Sequence, residues 1–456
     1  TRGVGPVNIA GQGQVTGDVP LMPRLSQFLA LATAYRLNYH RFNVCALLET
    51  AHPLHPAQVE EIVRHLMLHH DALRLRVEPH ESGWRQYIAK FDGMVPFKLV
   101  DLSGMEEAEQ KSAIEEIAAQ LQTSLNVTKG PIFRVALFHT GKQKPGRLLI
   151  LVHHIAADIF SMRILLEDFV TAYQQLNQGK PIQLPPKTTS VKQRTERVIE
   201  FARSAALREE VGYWLNLPWT AVAPLPVDYP EGLRAVPRPQ AVEASLSIEE
   251  TQALLRGIAR AGNIQVRDVL LTALMQVFSR ISGSRTLLFA MHNHGRKPVF
   301  EDVDLSRTVG WLTVHPSVIL RLPDTPSQKE LVQAIAEQLR RMPNEGLGYE
   351  LLCHLSGDAE IAERFRTLPR PNLVFDYLGQ HSTSHTSALL RPAMESVGQD
   401  SSVPNLWKSD MQLMFMEILD YQLQIRWEYS ETVYKRATIE QFIQDFLAAL
   451  RALSNL

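Results

Sequence analysis

Leu148-Leu149-Ile150-Leu151-Val152-His153-His154-Ile155-Ala156-Ala157-Asp158 joins two kinds of element. Leu148 to Val152 is a short apolar run that suits a buried strand. Beyond Asp158, Met162, Leu165, Leu166, Phe169 and Tyr173 recur at the helical period and predict an amphipathic helix. The two histidines thus stand where a strand gives way to a helix. Strand side chains alternate between faces, so His153 and His154 should point in opposite directions. One can face a cavity while the other braces the loop from behind. An imidazole with an unperturbed pKa of about 6.5 can accept a proton there at neutral pH. Asp158, just before the helix, can cap its first turn or hold a buried cation.

A pair of histidines does not by itself make an active site. His69-His70 is another such pair, at an expected helix end, and no chemistry is expected of it. The sequence contains neither a G-x-S-x-G nucleophile elbow nor an H-E-x-x-H zinc motif, and no metal site is expected.

Working outward, residues 1–17 are Gly-rich, without an apolar period, and read as a flexible leader. A helix is expected over 56–70, with Val59, Ile62, Val63 and Leu66 on one face and Pro56 in its first turn. A strand is expected over 72–77 and a helix over 105–125. Residues 178–192 carry three prolines and read as a linker. They place an N-terminal lobe at 18–180 and a C-terminal lobe at 181–456. In the second lobe, helices are expected at 248–262, 266–281 and 438–453, with strands near 285–292, 314–321, 371–377 and 421–429. The mixture predicts an α/β architecture in two lobes.

The 456 residues are 45% hydrophobic and 21% charged, with 47 basic and 48 acidic side chains. That balance gives no reason to expect nucleic-acid or membrane binding. Cys45 and Cys353 form neither a metal pattern nor a disulfide framework, which fits a reducing cytoplasm. No apolar stretch has the length to span a bilayer, and no signal peptide is recognisable. The initial Thr suggests a cut or processed chain.

Residues 153–159 resemble the H-H-x-x-x-D-G signature of condensation and epimerization domains of nonribosomal peptide synthetases. Other segments continue the resemblance in order. Pro20 to Arg24, with Phe42-Asn43, is similar to the family's opening block. His69 and His70-Asp71-Ala72-Leu73-Arg74 resemble R-H-D-A-L-R, with His69 at the leading arginine. Asp268 to Leu271, His294-Gly295-Arg296, Asp304 to Trp311, Gly348-Tyr349 and Asp376 to Gln380 follow. The resemblance spans roughly residues 18 to 453. It implies two chloramphenicol-acetyltransferase-like lobes in a V-shaped pseudo-dimer, with a tunnel between them. By position, His154 is the catalytic histidine and His153 is structural. Asp158 pairs with Arg296 to support the site, and Ile159, His292 and Trp311 are candidates to line the tunnel.

Two departures stand out. Ile159 replaces the signature's glycine, so the loop takes another path, the site is reshaped, or activity is impaired. The blocks at 294–311 and 372–380 are more similar to epimerization domains, yet His292-Asn293 stand where those carry Glu-Gly. A condensation reaction needs one tunnel histidine, which is present. The expected function is therefore a condensation-type acyltransferase. It would join a carrier-bound peptidyl or polyketide thioester to an amine or hydroxyl, giving an amide or ester. The alternatives are an epimerase with an atypical acid or base and a non-catalytic carrier-docking module. The resemblance implies no cofactor held by the chain itself, only the phosphopantetheine arms of partner carrier proteins. A free small-molecule acceptor is the other partner considered, and a monomer is expected.

Overall fold

The five apolar residues Leu148 to Val152 are all buried, and their side chains alternate between two cores. Leu148, Ile150 and Val152 enter one cluster, Leu149 and Leu151 the other. The computed structural model in which this is seen describes residues 11–454 apart from 82, 143, 235–238, 326, 382–388 and 399–410.

The described residues fall into two units. The first takes those of Thr1–Glu200, Arg296–Thr313 and Thr383–Leu406; the second takes those of Phe201–Gly295, Val314–Ser382 and Trp407–Leu456. The sequence reading divides the chain once, at 180/181. The chain instead leaves the first unit after residue 200 and returns to it twice. The Pro-rich 178–192 stretch is tied to the first unit by Lys187 Nζ on Asp71 and by the Thr189 N–H on the Asp304 carbonyl. Of the 1–17 segment, residues 1–10 lie outside the described residues. Further along it, Gln12 bonds Lys187, and Val15 bonds both Asp71 and Arg74.

The strands of the first unit are Gly17–Asp18 (β1), Asn43–Thr50 (β2), Leu75–His80 (β3), Gly83–Ile88 (β4), Phe97–Asp101 (β5), Phe133–His139 (β6) and Arg147–His153 (β7). Pro239–Ser245 (β8), Thr286–His292 (β9), Ser317–Arg321 (β10) and Leu373–His381 (β11) belong to the second unit. Leu390–Pro392 (β12) rejoins the first, and Gln412–Leu419 (β13) and Gln422–Ser430 (β14) return to the second.

One sheet of the first unit runs β12-β2-β7-β6-β5 and a smaller one β1-β4-β3. In the larger, β2 pairs antiparallel with β7, with Asn43 opposite His153. The helices of this unit's core are Pro23–Ala34 (α1), Pro56–His69 (α2), Glu107–Gln122 (α3) and Ile159–Asn177 (α4). The expected face of α2, Val59, Ile62, Val63 and Leu66, is buried in the same cluster as Leu165 and Phe169 of α4. Helix α3 covers the other sheet face with Ile114, Ala118 and Leu121. The strand expected from residue 72 begins instead at Leu75, after a single 3-10 turn over Asp71–Arg74. Arg74 turns inward there, bonding Asp71 Oδ1 at 2.7 Å and the Met67 carbonyl at 2.6 Å, and this buried pair closes the turn.

The sheet of the second unit runs β10-β9-β11-β13-β14-β8. Its central strands β9, β11 and β13 are parallel, and His292 of β9 lies level with Asp376 of β11. Helices form at Ile248–Ala261, Val266–Ser282 and Arg436–Leu453, close to the expected ranges. In the helix Leu347–His354, Gly348 is there for want of room. A Cβ at that position would stand 1.9 Å from Glu210 Oε2. That carboxylate is fixed by Trp214 Nε1 at 3.1 Å and Asn344 Nδ2 at 2.6 Å, and burial pushes its pKa up.

Candidate active site

β7 ends at His153, and α4 begins at Ile159. His153 is fully buried. Its Nδ1 accepts from the Ile155 N–H at 3.2 Å, which leaves Nε2 as the donor to the Tyr39 carbonyl at 2.8 Å. Burial lowers its pKa to about 3, so the ring is neutral and its tautomer is set by the two backbone bonds. His154 stands differently. Its backbone N–H donates to the Phe42 carbonyl at 2.7 Å, and its ring is only partly buried. The imidazole stacks on Phe42, with centroids 4.3 Å apart and planes 11° apart, and meets Trp311 at 4.9 Å.

Asp158 does both things open to it. It caps α4 by accepting from the Ser161 N–H at 2.8 Å, and it pairs with Arg296, each carboxylate oxygen 2.8 Å from a guanidinium nitrogen. Arg296 also donates to Ser161 Oγ and to the Thr308 and Gly310 carbonyls, and it lies over the Phe160 ring. His153, His154, Asp158, Arg296 and Trp311 all lie in the first unit. Ile159 takes the first helical position of α4, with its side chain 52% exposed. A helical backbone admits any L-residue except proline with little strain, so the glycine of the signature is not needed for torsion here. The isoleucine is not the fully packed wall that complete burial would make it.

His292 lies in the second unit. Its Nδ1 is 3.0 Å from Asp376 Oδ2, a bond that follows from the level pairing of β9 and β11. Its ring stacks on His315, with centroids 3.7 Å apart. Such a pair resembles the orienting half of an acid–base dyad: the carboxylate takes Nδ1–H and leaves Nε2 to work. The sequence reading gives Asp376, His315 and Ser161 no role in the site. Asp376 stands within the Asp376 to Gln380 segment, but nothing in sequence spacing reveals its register with His292.

The pair His69-His70 is built into a charged node. His70 Nε2 lies 2.8 Å from Asp168 Oδ2, and Arg307 takes Asp168 Oδ1. Among the described residues, ligand atoms of His69, His70 and Asp168 lie within 4.8 Å of one another, the spread of a metal site. Both Asp168 oxygens are already engaged, one by a guanidinium, so the arrangement is that of an ion-pair node.

The family description "Condensation domain" matches residues 27–455. The chain belongs to the condensation-domain family of nonribosomal peptide synthetases. This condensation-family domain is 38% identical over 449 residues to a linear gramicidin synthase of Brevibacillus parabrevis, covering 97% of its own length and 6% of that protein. It is 36% identical over 453 residues to the chondramide synthase of Chondromyces crocatus, covering 98% of its own length and 11% of that protein. It thus spans a small fraction of the length of such relatives. Among solved structures, it is similar to the epimerization domain from the third module of tyrocidine synthetase B, with TM-score 0.86, 27% identity and 98% of each chain covered. The first condensation domain of the calcium-dependent antibiotic synthetase shares the fold, with TM-score 0.71, 17% identity and 96% of each chain covered. The expected mixed α/β fold with two sheet-containing lobes is that of these domains. Among the described residues, no helix is long and apolar enough to cross a membrane.

Proposed function

We propose that this condensation-family domain transfers an acyl group from a carrier-bound thioester to an amine or hydroxyl acceptor, with His154 as its catalytic residue. The acceptor nitrogen or oxygen bonds to the acyl carbon, the C–S bond breaks, and the thiol of the phosphopantetheine arm leaves with a proton. His154 takes the acceptor's proton, or stabilises the charge that forms during attack. The observation that carries this reading is the contrast between the paired histidines. His153 is neutral and spent on two backbone bonds, while His154 presents a partly buried ring held between Phe42 and Trp311. The donor partner is a carrier protein in the cytoplasm; the acceptor is a second carrier or a free small molecule.

A second reading is epimerization of a carrier-bound aminoacyl group. The His292–Asp376 pair favours it, since proton exchange at a Cα needs a second acid–base group, and so does the likeness to an epimerization domain.

The test incubates the protein with an acyl-loaded carrier and candidate acceptors, and follows intact mass and product configuration. A new amide or ester that is lost in a folded His154→Ala variant supports acyl transfer. Inverted configuration without bond formation supports epimerization. Carrier binding without either change identifies a docking module and overturns both. Wild-type turnover in His154→Ala removes the histidine from the mechanism.

A further inference from the structure

Ser161 is the third residue of α4 and is wholly buried. Its hydroxyl lies 2.8 Å from Asp158 Oδ1, 2.9 Å from Arg296 Nη2, and 3.0 Å from both the N–H and the carbonyl of Gly310. A hydroxyl has one proton and two lone pairs. It therefore accepts from Gly310 and Arg296 and donates to Asp158 or to the Gly310 carbonyl. Its hydrogen-bonding capacity is full. The Leu312 N–H reaches Asp158 Oδ2 at 3.3 Å. The two residues flanking Trp311 are thus both bonded to the first turn of α4. Gly310 is also closely seated, since a Cβ there would stand 2.4 Å from Val191 Cγ2. Four residues before Trp311, Arg307 bonds Glu167 and Asp168 further along the same helix.

We propose that Ser161 is a positioning residue: it pins Gly310 to the start of α4 and so fixes the Trp311 ring against His154. The Asp158–Arg296 pair ties the two ends of the site together. Ser161 is the group that touches Gly310 through both its N–H and its carbonyl, and it sets where the next side chain stands. The expected effect on turnover rests on the reading of His154 as the catalytic residue; the placement of the ring does not.

The test is NMR of histidine-labelled protein, with the His154 ring signal assigned by its loss in His154→Gln. The Trp311 ring current displaces that signal, and Trp311→Leu gives the position without it. In a folded Ser161→Ala variant the signal should move at least halfway to the Trp311→Leu position. In Ser161→Cys, which keeps the shape and a weak polar sulfur, it should move less and in the same direction. An unmoved signal in Ser161→Ala or, where that variant does not fold, in Ser161→Cys overturns the proposal. So does a Trp311→Leu spectrum in which His154 is unmoved. In the carrier assay, kcat of Ser161→Ala should fall on the order of 10–100-fold with far less change in KM, the mark of a misplaced catalytic group. Absence of turnover in the wild type would count against the proposed function, and the ring position would still judge Ser161.

Discussion

Asp158 and Arg296 stand 138 residues apart in the chain and meet in a two-pronged ion pair, each carboxylate oxygen 2.8 Å from a guanidinium nitrogen. The same carboxylate caps α4 through Ser161, and the same guanidinium bonds the Thr308 and Gly310 carbonyls. Removing either partner leaves the other charge buried and uncompensated. Asp158→Ala and Arg296→Ala should each destabilise by about 3–5 kcal/mol. The double variant should cost much less than the sum, because the second substitution removes the stranded charge. Urea denaturation of the four proteins measures the coupling, and additive effects would contradict the pairing.

His153 gives stability a pH dependence. Its folded pKa is about 3, depressed by burial, against about 6.5 in an unfolded chain. As pH falls below about 6.5 the unfolded state binds the proton first. The contribution is therefore intact above that pH and declines as pH falls towards 3, by on the order of 2 kcal/mol at pH 5. His69, lowered to about 4 chiefly by burial, acts with the same sign. His153→Gln should flatten the pH dependence between 6.5 and 5 relative to wild type, though less stable at pH 8. Parallel curves for the two proteins would show that His153 is not buried neutral.

Ile159→Gly tests the reshaped signature. With half of the side chain exposed, the loss of burial and helix propensity should cost only about 1–2 kcal/mol. Turnover of the native substrate should nonetheless fall, because the isoleucine lies five residues from His154 and glycine loosens the start of α4. A clear gain in turnover would mean instead that Ile159 marks an impaired site.

Asp376 is the discriminating position for epimerization. Asp376→Asn removes the carboxylate that holds His292 Nδ1–H. If His292 works on the Cα proton, solvent deuterium uptake into a carrier-bound aminoacyl group should drop on the order of 100-fold in Asp376→Asn and His292→Ala alike. Acyl transfer should persist in both. Unchanged deuterium uptake would dismiss the second reading.

Gly348→Ala should destabilise the second unit by about 1–3 kcal/mol, since the new methyl meets the fixed Glu210 carboxylate. Gly348→Ala in a Glu210→Gln background should cost about the same, because the glutamine fills the same space. Glu210→Ala should relieve it. Thermal denaturation of the set decides.

Much of this protein is legible from its residues alone. The Leu148 to Val152 run, the helical period after Asp158 and the face Val59, Ile62, Val63 and Leu66 depend on near neighbours in the chain, and they appear where periodicity puts them. The condensation-family segments, read in order, gave the family. Other features required contacts that no local pattern encodes. The pair Asp71–Arg74 turns an expected strand start into a 3-10 turn. Strand register sets Asp376 beside His292. Segment 296–313, read as part of the second lobe, returns to the first unit and brings Arg296, Gly310 and Trp311 to α4. Local sequence carries the propensity of each element and the direction its side chains take. Which distant charges and rings meet is decided by packing, where a buried Asp158 is stable only once Arg296 has reached it.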